Sequence, residues 1–470
     1  MARFNLISAL LVTTVLAGAC KSTTDGGIEP DPDAGKAAPP AAIADTPAGA
    51  KAATATSCPV DRRQEASQYP QAMRKADYWL AKLADGDKVL LSPATIRSLN
   101  ATNAKRPWAF QDVTQGDVGA AQRVDKEIAE RNEWLMARLN SGKYVEVQKG
   151  DFSRAKRRIQ DASRADEFRV LLKAHDLRCV PMRAALYKPP VDPRFDRNQC
   201  SGLHAGETIR VLRRSADEVW WYVHAGHSVG WLRSPQVTPP ISIEQARAFR
   251  DHTPRLVATA TRVEVTPSMT LRMGSSLPIL ERVEGDVVIS LPTRKGLIRT
   301  RIRPPEGSSQ GYLPFTRREV YERALAYLDH PYGWGERKEG QDCSRLMLDV
   351  FATFGLRLGR HSGEQAKAGV KVVELEGLDV ATRRRTLRRS IEEGIVFAYM
   401  PGHIMLMLGQ EAERTFAVSA IADFSEPCGP NSDRQVQVDR VVISDLAVGD
   451  GTKKRSFIKR LKRLAVFSAQ

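Results

Sequence analysis

The sequence predicts an α+β protein built of several domains, and three changes of texture along its 470 residues carry that reading. A helical period dominates from about 65 to 165. Short β-rich runs fill 168–240 and again 253–315, and helices followed by strands occupy 316–466. A chain this long exceeds what one compact core holds, so division into domains is expected.

Ahead of these lies a start with its own logic. Met1 to Arg3 is short and positive, Leu6 to Val15 is apolar, and Leu16-Ala17-Gly18-Ala19-Cys20 places small residues before a cysteine. This is the layout of a signal peptide over 1–20, too short for a comfortable transmembrane helix. Residues 21–57 are Ala, Pro, Thr, Gly and Asp with almost no large apolar side chain. Such a segment cannot bury enough surface to offset its ordering entropy, and it reads as a disordered tether. No other segment is long and apolar enough to span a bilayer.

In the helical stretch Tyr78, Trp79, Leu80 and Leu83, then Ile128, Trp134, Leu135 and Leu139, recur mostly at spacings of three and four. The first β-rich stretch contains Ile209–Arg213, Val219–Val223 and Val229–Leu232, punctuated by Gly206, Gly226 and Pro235, a small antiparallel barrel signature. The second contains Val263–Val265, Leu277–Leu280 and Val287–Leu291 and looks like a related module. Beyond 316, Thr316 is placed to cap a helix over 317–329 and another helix begins near Cys343. Strands are expected at Ile395–Met400, Ile404–Leu408 and Thr415–Ile421.

With 42% hydrophobic and 27% charged residues the composition is that of a soluble globular protein, which sets aside membrane-embedded and wholly disordered classes. The net charge of +16 draws the chain to anionic polymers without choosing among them. Two basic runs stand out. Arg383, Arg384, Arg385, Arg388 and Arg389 read as a solvated face. Lys459, Arg460, Lys462 and Arg463, interleaved with Ile458, Leu461 and Leu464, read as a last element packed on the C-terminal domain, with an amphipathic membrane helix as the alternative. Neither comes with a nucleic-acid motif, so no nucleic-acid partner is expected. Four cysteines, Cys58, Cys179, Cys200 and Cys428, are open to disulfides in an extracytoplasmic setting. Cys179 and Cys200 either pair or stay as buried thiols. No His/Cys spacing matches a zinc site.

The chemistry concentrates in Tyr332-Gly-Trp334-Gly, Asp342-Cys343-Ser344 and Pro401-Gly402-His403. Leu346, Met347, Val350 and Phe354 form one apolar stripe after Cys343, which puts the cysteine at the first turn of a buried helix with Asp342 as its cap. Free N–H groups and partial positive charge at that turn favour a thiolate and later an oxyanion. His403 opens an alternating strand after a sharp Pro-Gly entry, where its ring can take and return the thiol proton.

Taken together, YGWGE at 332–336, DCSRL at 342–346, FGLRL at 354–358, Arg360-His-Ser-Gly-Glu-Gln365 and PGHIMLMLG at 401–409 resemble the NlpC/P60 family of papain-like cell-wall peptidases. The two β-modules look like the SH3-like domains that precede this catalytic domain in one subgroup, and the segment 65–165 is similar to that subgroup's N-terminal stabilising domain. The fold so implied is a papain-like catalytic domain after two SH3-like β-barrels and a helical segment. The resemblance implies hydrolysis of peptidoglycan stem peptides between γ-D-glutamate and the diamino acid, by a monomer, with Cys343 as nucleophile, His403 as base, and no metal or organic cofactor. Asp342, Ser344, Tyr332, Trp334 and Ser362 match residues lining the substrate groove, with Asp342 suited to a free L-alanine amine. The family's third polar residue is often His, and here Ser419 takes its place, a weaker partner for an imidazole. The start resembles a bacterial lipobox, with Ala17 where Leu is usual, which implies a lipid anchor on Cys20 and a periplasm-facing location at the outer membrane. Ordinary cleavage to a free protein is the alternative. Two other activities stay open: a muropeptide-binding protein that does not cut, and an amidase or transpeptidase on the same fold.

Overall fold

The computed structural model describes residues 58–62, 69–83, 85–106, 108–115, 121–140, 145–146, 150–430 and 432–469. The signal segment with Cys20 and the tether 21–57 lie outside the described residues.

The C-terminal domain is a seven-stranded sheet. Its strands run, edge to edge, Asp61–Arg62, Ser432–Asp445, Arg414–Gly429, His403–Glu411, Ile395–Met400, Arg463–Phe467 and Lys371–Glu374. All neighbours are antiparallel except the first pair, where two residues from the far N-terminal side add a parallel edge. The alternation along His403–Glu411 sorts side chains onto two faces. Ile404, Leu406 and Leu408 share a core with Leu346, Met347, Val350 and Phe351 of the helix Cys343–Ala352. Met405 and Met407 share another with Leu387 and Ile391 of the helix Val380–Glu393. The sheet is therefore sandwiched, and both faces are dry.

The basic runs fold into this sandwich in different ways. The last one becomes the short helix Phe457–Arg460 and the interior strand Arg463–Phe467. Within the first run, Arg383 departs from a solvated face. It is buried and donates to the carbonyls of Ile458 and Leu461 at 3.0 and 2.6 Å. The ends of the C-terminal segment leave carbonyls without strand partners, and a guanidinium has enough donors to satisfy them.

The helical stretch divides its apolar side chains among its neighbours. Trp79, Leu91 and Ile96, from the helices Ala76–Leu80 and Pro93–Asn103 and the turn between them, join the core of the C-terminal domain, with Trp79 5.5 Å from Phe416. Val124 and Ile128 of Ala121–Asn140 pack on Trp220, Tyr222 and Trp231 of the first β-unit. Helices this charged bury one narrow stripe each, and a stripe needs a larger partner.

The first β-unit is a six-stranded antiparallel sheet from Ser163–Val170 to Val229–Arg233. The second contains a five-stranded sheet and a hairpin between Arg255 and Ser309. Disulfides join Cys179 to Cys200 and Cys58 to Cys428, and Cys343 is the free cysteine among the described residues. In the same set no helix is long and apolar enough to cross a membrane.

Candidate active site

Asp342 caps the helix Cys343–Ala352 by accepting the Arg345 N–H at 2.9 Å, which fixes Cys343 as its first residue. The backbone N–H groups of Ile404, on the sheet, and of Ser344, on the helix, favour the thiolate of this sulfur. Gly402, at φ +80°, makes the sharp entry into the strand at a position that L side chains rarely adopt. His403 follows, and its Nε2 is 3.1 Å from the hydroxyl of Ser419, which is fully buried on the adjacent strand. Ser419 holds one ring nitrogen, and Nδ1 is the one available to the thiol.

Cys343 and His403 line a single groove with Tyr332, Trp334, Phe195, Ala420, Phe424, Phe457 and Arg460. They are not hydrogen-bonded to each other, and both are neutral. Burial, reinforced by the Asp342 charge, pushes the Cys343 thiol up to about 12 against the two N–H groups that favour its thiolate. Burial and the Arg460 charge push His403 down to about 4. A helix start by itself favours an ionised sulfur. In the structure, desolvation and the neighbouring carboxylate outweigh it.

Tyr332 and Trp334 stand on the groove wall, where Phe195 of the first β-unit meets them edge-on at 5.9 and 5.6 Å. Arg197 stacks on Trp334 at 4.2 Å. Burial, with Asp342 and the sulfur nearby, raises Tyr332 well above its usual value, so its phenol stays protonated.

The remaining motif residues do not open on the groove. Asp342 and Ser344 are buried behind the sulfur, in a network centred on Arg360. The guanidinium pairs with both carboxylate oxygens of Asp342 and donates to the Ser344 hydroxyl at 2.6 Å and to Ser201 at 3.0 Å. An Asp342 engaged in this way has no free oxygen for a substrate amine. Ser362 begins the short helix Ser362–Gln365 and is not on the groove wall. Arg360 stands inside the Arg360–Gln365 motif, and nothing in the sequence around it assigns it a role. Opposite charges 18 residues apart carry no local signal that they will meet.

A second charged cluster lies behind the first. Arg345 donates to Asp349 at 2.7 Å and lies 3.1 Å from Glu336 and 2.7 Å from the His204 ring. Burial alone would raise the Glu336 carboxyl, but Arg345 and then His204 hold it down to about 2. His204, Glu336 and Asp349 have the donor types of a cation site, and their atoms converge within 4.8 Å. The Arg345 guanidinium already occupies that position, so the residues present do not fit a metal ion. His204 belongs to the first β-unit, and the cluster joins that unit to the Cys343 helix.

A thiol at the start of a helix packed on an antiparallel sheet, on a groove shared with a strand-borne histidine, brings together the groups that thiol-based acyl transfer uses. Residues 329–412 match the model of the NlpC/P60 family, and residues 185–233 match that of the SH3 domain of SH3b1 type. The chain thus carries an NlpC/P60 domain behind an SH3b1-type domain, and the SH3 match covers the first of the two β-units. A solved NlpC/P60 endopeptidase from Photobacterium damselae subsp. piscicida is similar over 88% of this chain and 99% of its own, with a TM-score of 0.67 and 16% identity. It shares the fold. NlpC2 and NlpC1 of Trichomonas vaginalis are each 12% identical, cover 66% of this chain and 100% and 95% of their own, and have TM-scores of 0.27 and 0.28. No curated protein matches the chain.

Proposed function

We propose that this protein is a cysteine peptidase of the cell wall that hydrolyses peptidoglycan stem peptides at the bond between γ-D-glutamate and the diamino acid. The observation that carries the reading is Cys343: a free thiol at a helix start, on the same groove as a histidine held by Ser419. The SH3b1-type and NlpC/P60 domains together suit a cell-wall substrate.

In this reading His403 Nδ1 takes the Sγ proton as sulfur attacks the amide carbonyl. Catalytic hydrogen bonds are often long in unliganded enzymes and tighten on substrate. The resting pair is neutral, so proton transfer accompanies attack and charge appears as the tetrahedral intermediate forms. The N–H groups at the helix start and the protonated Tyr332 phenol are donors for the oxyanion. His403 then protonates the leaving amine, which departs and leaves a thioester on Cys343. Water, deprotonated by the same nitrogen, attacks the thioester and releases the acid and the thiol. No step draws on a metal or organic cofactor. The N-terminal segment carries the chain out of the cytoplasm, and a lipid on Cys20 holds it at the outer membrane, where it works as a monomer.

The test is release of diaminopimelate from L-Ala-γ-D-Glu-meso-diaminopimelate by the full chain and by Cys343→Ala. Release that requires Cys343 supports the reading. Tight binding without release by the intact chain replaces it with a muropeptide-binding role.

A further inference from the structure

The groove has two unlike walls. On one side stand the aromatic rings of Phe195, Tyr332 and Trp334. The other is built by the loop between the last two long elements of the sheet, residues 449–460, which brings Lys454, Arg455 and Arg460 to the same groove as Cys343 and His403. Lys454 and Arg455 are exposed, and neither side chain pairs with a carboxylate among the described residues. Arg455 is held at φ +64°, an uncommon conformation for a residue with a side chain, and its carbonyl lies against Gly449. The one acidic residue on the groove wall, Asp423, is already paired with Arg194 at 3.1 Å. Lys454 and Arg455 therefore present uncompensated positive charge to the groove.

The chemistry of amide cleavage assigns that wall to one side of the scissile bond. Sulfur keeps the acyl part, and the protonated imidazole must reach the departing nitrogen, so the flank beside His403 holds the leaving residue. Phe457 lies against His403 with ring centres 5.7 Å apart, and the Arg460 charge is felt by the imidazole. The 449–460 loop is thus the leaving-group flank.

We propose that Lys454 and Arg455, with Arg460 behind them, bind an ionised carboxylate on the leaving residue, and so select fragments in which that residue is a free amino acid with its carboxylates unblocked. The proposal rests on the peptidase reading and adds the chemical form of the substrate to it. A peptide continuing past the leaving residue, or one with amidated carboxylates, removes the group the loop recognises.

Two measurements on the full chain test it. Turnover of L-Ala-γ-D-Glu-meso-diaminopimelate is compared with that of the same tripeptide amidated on both diaminopimelate carboxylates, in the wild type and in Lys454→Gln/Arg455→Gln. Binding of both peptides to Cys343→Ala is measured by calorimetry. The wild type is expected to favour the acid by about ten- to a hundredfold in kcat/KM, the scale of a hydrogen bond to a charged group. The double variant is expected to bring that ratio close to one while leaving turnover of the amide unchanged. Equal turnover of acid and amide by the wild type overturns the proposal and leaves the peptidase reading standing. Acid-selective binding to Cys343→Ala without any wild-type turnover does the reverse. A double variant that slows both peptides equally also overturns it, because the loop would then shape the site without reading charge.

Discussion

Asp342 closes onto Arg360 behind the nucleophile, two carboxylate oxygens against two guanidinium nitrogens, and both side chains are buried. The carboxylate next to the reactive sulfur is thus compensated from the side away from substrate. Arg360 also reaches the Ser344 hydroxyl and, across the domain boundary, Ser201. One guanidinium sets the charge of the helix start and ties it to the first β-unit.

Removing that guanidinium strands a buried charge. Arg360→Gln is expected to cost on the order of 3–5 kcal/mol of stability, as breaking one side of a buried ion pair does. It should also depress kcat, because an uncompensated Asp342 further disfavours negative sulfur. Adding Asp342→Asn should recover much of the stability, which thermal unfolding of the single and double variants would read.

Ser419 supplies one hydrogen bond to His403, and its loss has a bounded cost. A neutral hydrogen bond contributes about 0.5–1.5 kcal/mol net, so Ser419→Ala should lower kcat by about two- to tenfold with KM little changed. Steady-state kinetics on a stem tripeptide would check this. A thousandfold loss would give Ser419 a larger part than orienting the ring.

The pH dependence follows from His403. Its folded value of about 4 lies below the ordinary 6.5 of a histidine. Between these values the unfolded chain holds a proton at this site that the native chain does not, so stability rises with pH across that window and falls as acid is added. The base itself stays neutral until about pH 4, so the acid limb of kcat/KM should fall near 4, well below 6.5. A rate profile between pH 3 and 8, with unfolding followed over the same range, measures both.

Gly202 is where the first β-unit comes closest to Glu336. A Cβ added there would lie 2.7 Å from the Glu336 carboxyl carbon, and Glu336 is locked by Arg345 and His204 at φ +66°. Gly202→Ala should therefore lower stability by about 1–3 kcal/mol through overpacking. Serine at the exposed Gly429, where an added Cβ meets nothing within 4 Å, is the control.

Much of this site is legible in the sequence because it is local. The stripe Leu346, Met347, Val350 and Phe354 sets the Cys343 helix, Asp342 caps it, and alternation from His403 sets the strand. Each signal spans a turn or two of chain. Arg345, Glu336 and His204 are not legible, because the partners lie up to 141 residues apart in two domains. A charge in an apolar helix looks like a defect until its counter-charges arrive. The protonation states are hidden for the same reason: a helix start pulls a thiol towards ionisation, and only the packed structure shows how much water has been removed around it. The division of the N-terminal helices between two partners is hidden too, since an apolar stripe announces burial without saying against what.

The bond between Cys58 and Cys428 closes a span of 370 residues. It also decides where a mechanical load would enter the molecule. Pull applied through the chain before Cys58 is delivered across the sulfurs to the tip of the long hairpin of the C-terminal sheet, beside the parallel edge made by Asp61–Arg62. The helices that come next along the backbone carry none of it while that link is intact. A nick anywhere between the two cysteines would leave both fragments fastened together, so an enzyme held at a surface by its N-terminal end could be cut by a foreign protease and still not drift away.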